Sequence, residues 1–76
     1  MPSETILKLL ENGKWHYLKD VTVKSRIDQS NVKTVTKFLE KYNFVKLNEA
    51  EQKIKIEPST NRFLKKIRQL ENKDTI

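Results

Sequence analysis

The chain has 76 residues, of which 36% are hydrophobic and 34% are charged. This length predicts one domain, residues 1–76, with a single core, and is too short for a typical enzyme with a buried cleft. The absence of cysteine excludes disulfides, thiolate catalysis and cysteine-based zinc sites, and the single histidine argues against a histidine-rich metal site. A net charge of +6 favours polyanionic partners such as nucleic acid.

The N-terminal segment, Met1 to Glu4, is neither basic nor followed by the apolar core of a signal peptide. No apolar run approaches the roughly 18 residues that suggest a membrane-spanning helix. We therefore expect an intracellular, soluble protein without a membrane partner.

The first element is predicted to be a helix, because Ile6, Leu9 and Leu10 have the i, i+3, i+4 spacing of a buried stripe. Ser3 before it and Gly13 after it suit the two ends of that helix. Residues 14–17 then favour a short strand or an extended connector.

A second helix is predicted over residues 18–27, where Leu18, Val21 and Ser25 share one helical face. The β-branched run at 21–23 also suits a strand, and the helix is preferred because of the element that follows it.

The clearest element is a helix over about residues 29–42, capped by Asp28 or Ser30. Its apolar side chains repeat at helical spacing: Val32, Val35, Leu39 and Tyr42, with Phe38 beside them. The opposite arc is polar and basic: Ser30, Lys33, Lys37 and Lys41, flanked by Asn31 and Thr34. Asn43 suits a left-handed residue just beyond the helix, which should end at Tyr42 or Asn43.

From Phe44 the apolar period changes to two, which predicts an antiparallel hairpin with an apolar inner face and a basic outer face. The inner positions are Val45, Leu47, Ile54 and Ile56, and the outer ones include Lys46, Lys53 and Lys55. Pro58 should end the second strand because it has no N–H for the ladder.

A last helix follows, with Ser59 or Thr60 as its expected cap. Its apolar stripe is Phe63, Leu64, Ile67 and Leu70, and its predicted solvent-facing cations are Arg62, Lys65, Lys66 and Arg68. Residues 71–76 are expected to fray.

This order of elements is that of a winged helix-turn-helix. Residues 27–45 read IDQSNVKTVTKFLEKYNFV. They resemble, without a gap, the segment L-S-Q-P-T-V-S-R-H-L-R-x-L-x-x-x-G-L-V of archaeal and bacterial winged-helix transcription regulators. The chain is most similar to small archaeal winged-helix proteins with a C-terminal dimerisation helix, including the Sso10a-like group. It departs from the pattern at Thr22 (usually Ala), Ser25 (usually Leu) and Arg26 (usually Gly).

The resemblance implies an α+β fold with a three-helix core, a two-stranded wing and an additional C-terminal helix. It also implies DNA contacts by matching residues: Gln29, Ser30, Asn31, Lys33, Thr34 and Lys37. Asn31 suits adenine, Lys33 suits guanine, and Thr34 offers a hydroxyl or methyl contact. The alternative is that these residues are only the solvent-exposed face of an amphipathic helix in a basic protein.

Phosphate contacts are expected from Lys37 and Lys41 on the helix and from the strand lysines: Lys46, Lys53 and Lys55. Glu49 and Glu51 at the tip of the wing would be repelled by phosphates, so we do not expect deep insertion of the tip into the minor groove.

The sequence Trp15-His16-Tyr17 allows a base-stacking or a catalytic interpretation. Because a lone histidine without a carboxylate or nucleophile pattern is a poor catalytic site, we expect these aromatics to close the small sheet against the wing. With Gly13 as the only glycine, there is no glycine-rich loop for a nucleotide. We predict no enzyme activity, no cofactor and no metal, and we infer no small-molecule effector.

Phe63, Ile67 and Leu70 either cover the first helix or pair with a second copy. We expect a homodimer through residues 59–72, because one recognition helix reads few bases. The predicted function is sequence-specific or architectural binding of double-stranded DNA by a nucleoid-associated transcription regulator or chromatin protein. The alternatives are an RNA-binding winged helix and a protein-interaction module of a transcription complex.

Overall fold

The computed structural model describes residues 2–74, which form four helices and a three-stranded antiparallel sheet. The elements in chain order are α1 (Pro2–Leu9), β1 (His16–Tyr17), α2 (Leu18–Ser25), α3 (Gln29–Lys41), β2 (Val45–Asn48), β3 (Lys53–Ile56) and α4 (Pro58–Asp74). The predicted α+β class and the predicted order of elements are confirmed.

A single core lies between the helices and one face of the sheet. Its buried apolar side chains come from α1, the turn after it, α2, α3, β2 and β3. They are Ile6, Leu10, Val21, Val32, Leu39, Val45, Ile54 and Ile56. Thr36 is buried as well, and its hydroxyl donates a hydrogen bond to the carbonyl of Lys33 over 3.1 Å, so the polar group is satisfied. The helical spacing predicted Val32 and Leu39 correctly, and it missed Thr36.

The turn between α2 and α3 contains a residue in the left-handed conformation that is not glycine. Arg26, which follows the last residue of α2, has φ 58° and ψ 24°. The hydroxyl of Ser25 accepts a hydrogen bond from the backbone N–H of Ile27 over 3.2 Å and so helps to fix this turn. Ser25 therefore helps to hold this turn, whereas Arg26 adopts a left-handed conformation that glycine would adopt without strain.

The sheet has the strand order β1–β3–β2. In the register, Val45 pairs with Ile56 and Leu47 pairs with Ile54, which places these apolar side chains on the inner face. Lys46 pairs with Lys55 on the other face. The predicted hairpin, with its apolar inner face and basic outer face, is confirmed.

Asn43 has φ 62° just beyond α3, as predicted, and α3 ends at Lys41 with Tyr42 as its cap. The prediction that Tyr42 and Phe38 belong to the apolar stripe of the core is wrong. Both rings are more than half exposed, and they contact each other with their centroids 4.9 Å apart. At 100° per residue, Phe38 and Tyr42 lie at the edge of the buried arc formed by Val32, Thr36 and Leu39, so these rings pack on one another instead.

The two outer helices begin one or two residues earlier than predicted. α1 begins at Pro2 and α4 begins at Pro58, so Ser3, Ser59 and Thr60 lie inside first turns rather than at caps. Proline suits this first position because its missing N–H would have no helical partner there. α1 ends at Leu9, and a turn leads from it to Gly13 with φ 75°.

α4 is attached to the domain along its first three turns. Leu64 packs against the core, and the side-chain amide of Asn61 donates to the carbonyl of Glu11 over 3.0 Å. Arg68 forms an ion pair with Glu11. The helix continues to Asp74, past residue 71, from which fraying was expected; that expectation is untested, and residues 75–76 lie outside the described part.

Candidate nucleic-acid interface

The solvent face of α3 carries the polar and basic side chains that were expected there. The residues of this face are all exposed: Gln29, Ser30, Asn31, Lys33, Thr34, Lys37 and Lys41. The placement follows from the periodicity, since Val32, Thr36 and Leu39 take the buried positions of the same helix. We call this set the α3 face.

Asp28 organises the N-terminal end of the α3 face. Its Oδ1 accepts hydrogen bonds from the Asn31 backbone N–H over 2.8 Å and from the Ser30 hydroxyl over 2.9 Å, and its Oδ2 accepts one from the Asn31 side-chain amide over 3.1 Å. These hydrogen bonds, led by the one from the Asn31 N–H, hold the pKa of the Asp28 carboxyl below its usual value. Asp28 therefore caps α3, and its carboxylate also accepts a hydrogen bond from the side-chain amide of Asn31.

A cleft of about 400 Å³ separates the middle of α3 from the tip of the β2–β3 hairpin. Its lining residues are Leu18, Lys33, Thr36, Lys37, Leu47, Asn48, Glu49 and Gln52. Lys33 and Lys37 thus lie beside the hairpin loop rather than beside the strand lysines. Sequence reasoning missed Asn48 and Gln52 as neighbours of the α3 face.

A second cleft of about 260 Å³ joins the α3 face to α2. Lys19 of α2 lines it together with Gln29 and Lys33. Leu18, Lys33 and Gln52 line both clefts, so the two clefts are adjacent, and we call them together the furrow. The backbone supports this arrangement, because the N–H of Leu18 donates to the carbonyl of Gln52 over 2.9 Å.

The strand lysines lie on the outer face of the sheet, opposite the face that packs on the helices. Lys46 Nζ is 3.7 Å from Glu57 Oε2, and Lys53 Nζ is 2.9 Å from Glu51 Oε2. The hydrogen bond and the charge of Lys53 lower the pKa of Glu51, and the same contact raises the pKa of Lys53. The residues expected to bind DNA therefore divide into two surfaces, the α3 face and the outer sheet face.

The backbone of β1 closes the small sheet, since His16 pairs with Ile54 and Tyr17 pairs with Lys53. The rings of Trp15 and Tyr17, however, lie open, 45% and 53% exposed. The segment therefore joins the sheet through its backbone, as expected. The expectation that the rings of Trp15 and Tyr17 pack against the wing is wrong, because both rings are exposed.

His16 is engaged within its own loop. Its Nε2 lies 2.8 Å from Oδ1 of Asn12, which also accepts a hydrogen bond from the backbone N–H of Lys14. Within residues 2–74, no group of three or more His, Asp and Glu side chains is placed to hold a metal ion.

The side chains expected at a dimer interface are not all on one open surface. Phe63 and Leu70 are 64% and 54% exposed on α4. Ile67 instead lines the cleft between α1 and α4 together with Leu7 and Leu64. The exposed apolar part of α4 is therefore Phe63 and Leu70, which we call the α4 ridge.

No helix within residues 2–74 is long and apolar enough to cross a membrane. Searches with family models, against curated proteins and against solved structures find no match to this chain.

Proposed function

We propose that this protein is a winged-helix protein that binds double-stranded DNA through the α3 face. The observation that carries the proposal is the position of Lys33 and Lys37, which are exposed on α3 and line the furrow beside the hairpin loop. In the proposed fold, the hairpin is the wing and α3 is the recognition helix. The net charge of +6 attracts the duplex without regard to sequence.

The dimensions of α3 suit the major groove. Its 13 residues span about 20 Å at 1.5 Å per residue, and the groove admits a helix of ordinary diameter. Because the N-terminal half of a recognition helix contacts base edges, Lys33 and Thr34 are the proposed base-reading residues. Lys37 and Lys41 lie further along the helix and are proposed to contact phosphates.

The hydrogen bond to Asp28 uses one of the two N–H donors of the Asn31 amide, which leaves one N–H and the carbonyl oxygen for a base. The hydroxyl of Thr34 likewise donates to the carbonyl of Ser30 over 3.0 Å, which leaves its methyl group for contact with a thymine methyl. Lys33 forms none of the ion pairs in the described part of the chain. We therefore assign the main sequence-reading contact to Lys33.

The wing contributes through the neutral amides that flank its loop. Glu49 and Glu51 are exposed in that loop, and phosphates repel them. Asn48 and Gln52 line the same cleft as Lys33 and Lys37 and are the proposed backbone contacts of the wing, whereas Glu49, which also lines this cleft, opposes a close approach of the loop. Lys46, Lys53 and Lys55 add sequence-independent attraction.

A homodimer through the α4 ridge completes the proposal. Phe63 and Leu70 are exposed apolar side chains that a second copy would cover. Two recognition helices about 34 Å apart read successive turns of one face of the duplex, which raises both affinity and the number of bases read. A transcription regulator or a nucleoid-associated protein would have this arrangement.

The test is a titration of a fluorescent duplex, first of random sequence and then of a site selected from a random pool. The variant Lys33→Ala/Lys37→Ala should weaken binding to the selected site at least tenfold. Its matched control, Lys8→Ala/Lys66→Ala, removes the same charge from exposed positions on α1 and α4 and should change binding less than threefold.

If both variants lose the same duplex affinity, binding depends only on the net charge of the protein, and a specific role of the α3 face is refuted. Competition by a structured RNA that exceeds competition by the duplex would favour the RNA-binding alternative. If no nucleic acid binds at low salt, the protein-interaction alternative is favoured instead.

A further inference from the structure

The outer face of the sheet presents aromatic rings and lysines side by side, away from the α3 face. Tyr17 ends β1 and Trp15 lies just before this strand, and both rings contact lysines of β3, so the two side chains share the outer face. Both rings are about half exposed. Two exposed rings beside cations offer a surface on which bases can stack.

Each ring has a lysine of the neighbouring strand above it. Lys53 Nζ lies 5.1 Å from the centroid of the Tyr17 ring, and Lys55 Nζ lies 5.9 Å from the centroid of the Trp15 ring. These cation–π contacts place each ammonium over a ring face, from which a stacking base would displace it toward the adjacent phosphate. The two ring and lysine pairs run along β1 and β3.

The cationic surface continues from Lys55 onto α4. Lys55, Arg62 and Lys65 line one cleft of about 280 Å³, and none of its described lining residues is acidic. Arg62 and Lys65 are exposed and lie on a different side of α4 from Phe63 and Leu70. This cleft offers charge to a polyanion, whereas Lys46 and Lys53 are already paired with Glu57 and Glu51.

We propose that this surface binds single-stranded DNA, with bases stacked on Trp15 and Tyr17 and phosphates held by Lys55, Arg62 and Lys65. Stacking on these rings needs unpaired bases, because the bases of an intact duplex are stacked on one another. The proposal is made for DNA because the proposed function already brings this chain to DNA, and it rests on the proposed function in this respect alone.

Trp15 is the only tryptophan of the chain, so its fluorescence reports directly on this surface. A titration with an eight-nucleotide thymine oligomer should quench that fluorescence as bases stack on the ring. An oligomer of equal length with abasic sugars carries the same phosphates without bases, and it should bind more weakly and leave the fluorescence nearly unchanged. Quenching by the abasic oligomer as strong as by the thymine oligomer would refute stacking.

Tyr17→Ala removes one stacking ring and keeps the reporter. It should weaken binding of the thymine oligomer by about 5- to 150-fold, the loss expected for one base–aromatic stack. Tyr42→Ala is the matched control, because Tyr42 is 54% exposed and also has a lysine above it, Lys41 Nζ at 5.9 Å, but lies at the end of α3. An equal loss in the two variants, or no loss in either, would overturn the proposal.

The remaining measurements separate this proposal from the proposed duplex binding. Lys33→Ala/Lys37→Ala should leave the quenching by the thymine oligomer unchanged, and Tyr17→Ala should leave duplex affinity within threefold. Failure of duplex binding with intact quenching would refute only the proposed function. A uridine RNA oligomer that quenches while the thymine oligomer does not would overturn the assignment to DNA.

Discussion

The side-chain amide of Asn31 donates a hydrogen bond to Oδ2 of Asp28 over 3.1 Å, while Oδ1 of the same carboxylate accepts from the Asn31 backbone N–H over 2.8 Å. One carboxylate thus caps α3 and holds a side chain expected to read DNA. It also places a negative charge at the end of the helix that approaches phosphates in the proposed complex. Helix stability and DNA affinity are therefore opposed at Asp28.

The variant Asp28→Ser separates these two roles. Serine caps a helix about as well as aspartate, so the melting temperature at pH 7 should change little. The lost negative charge and the released Asn31 amide should raise affinity for a random duplex at low salt by up to about fivefold. Calorimetry and a fluorescence titration measure the two effects, and Asp28→Ala, which lacks a cap, should melt lower. A drop in affinity for Asp28→Ser would show that Asp28 supports binding.

The same carboxylate makes stability depend on acid pH. Because its folded pKa lies below the unfolded value of 3.8, its ionised form stabilises the fold at pH values above about 3.8. This contribution is lost as the pH falls through the folded pKa. The melting temperature of the natural protein relative to Asp28→Ser should thus be constant from pH 7 to 5 and should fall below pH 3.8. A constant difference down to pH 2.5 would contradict this assignment.

The periodicity of the sequence was sufficient for the elements and for the α3 face. Val32 and Leu39 fix the buried side of α3, which leaves Lys33 and Lys37 to solvent whatever the partner. Asn43 was predictable as the left-handed residue after α3, because glycine, asparagine and aspartate are the residues that adopt this conformation most readily.

Periodicity could not show what covers a helix or which surface a strand faces. Phe38 and Tyr42 were assigned to the core by their spacing, but both lie at the edge of the buried arc of α3 and remain more than half exposed. Alternation places Lys55 on the basic side of its strand, but its neighbours Arg62 and Lys65 depend on where α4 returns. Such long-range placement is set by tertiary packing and not by local spacing.

Arg26 provides a test of backbone strain. Its φ of 58° costs an L-residue roughly 1–2 kcal/mol, a strain that glycine would remove from the folded state. Glycine also gives the unfolded chain more conformational freedom, which lowers the free energy of unfolding by about 0.4–1 kcal/mol. Arg26→Gly should therefore raise the free energy of unfolding by about 0.5–1 kcal/mol in urea titrations. Lys24→Gly, an exposed position inside α2, should lower it by about 1 kcal/mol. If Arg26→Gly is the less stable protein, the guanidinium contributes more than the strain costs.

The α4 ridge provides a test of assembly. We expect the natural protein to weigh twice 9.1 kDa by light scattering, and Leu70→Glu to weigh 9.1 kDa while retaining its circular dichroism. The half-buried Ile67 is a poorer choice, since a charge there enters the cleft between α1 and α4. Gln69→Glu adds the same charge to the next exposed position and should remain dimeric. A natural protein of 9.1 kDa at high concentration would end the dimer hypothesis.

The salt dependence of duplex binding measures how many phosphates the protein contacts. If a dimer neutralises roughly six to ten phosphates, the logarithm of the affinity should fall against the logarithm of salt with a slope of about 5 to 9. Lys37→Ala removes one proposed phosphate contact from each protomer, so the slope should decrease by about 2. Lys8→Ala removes an exposed charge from α1, outside the proposed interface, and should leave the slope unchanged. Because released counterions are the source of the slope, an affinity that does not respond to salt would refute nucleic-acid binding by this surface.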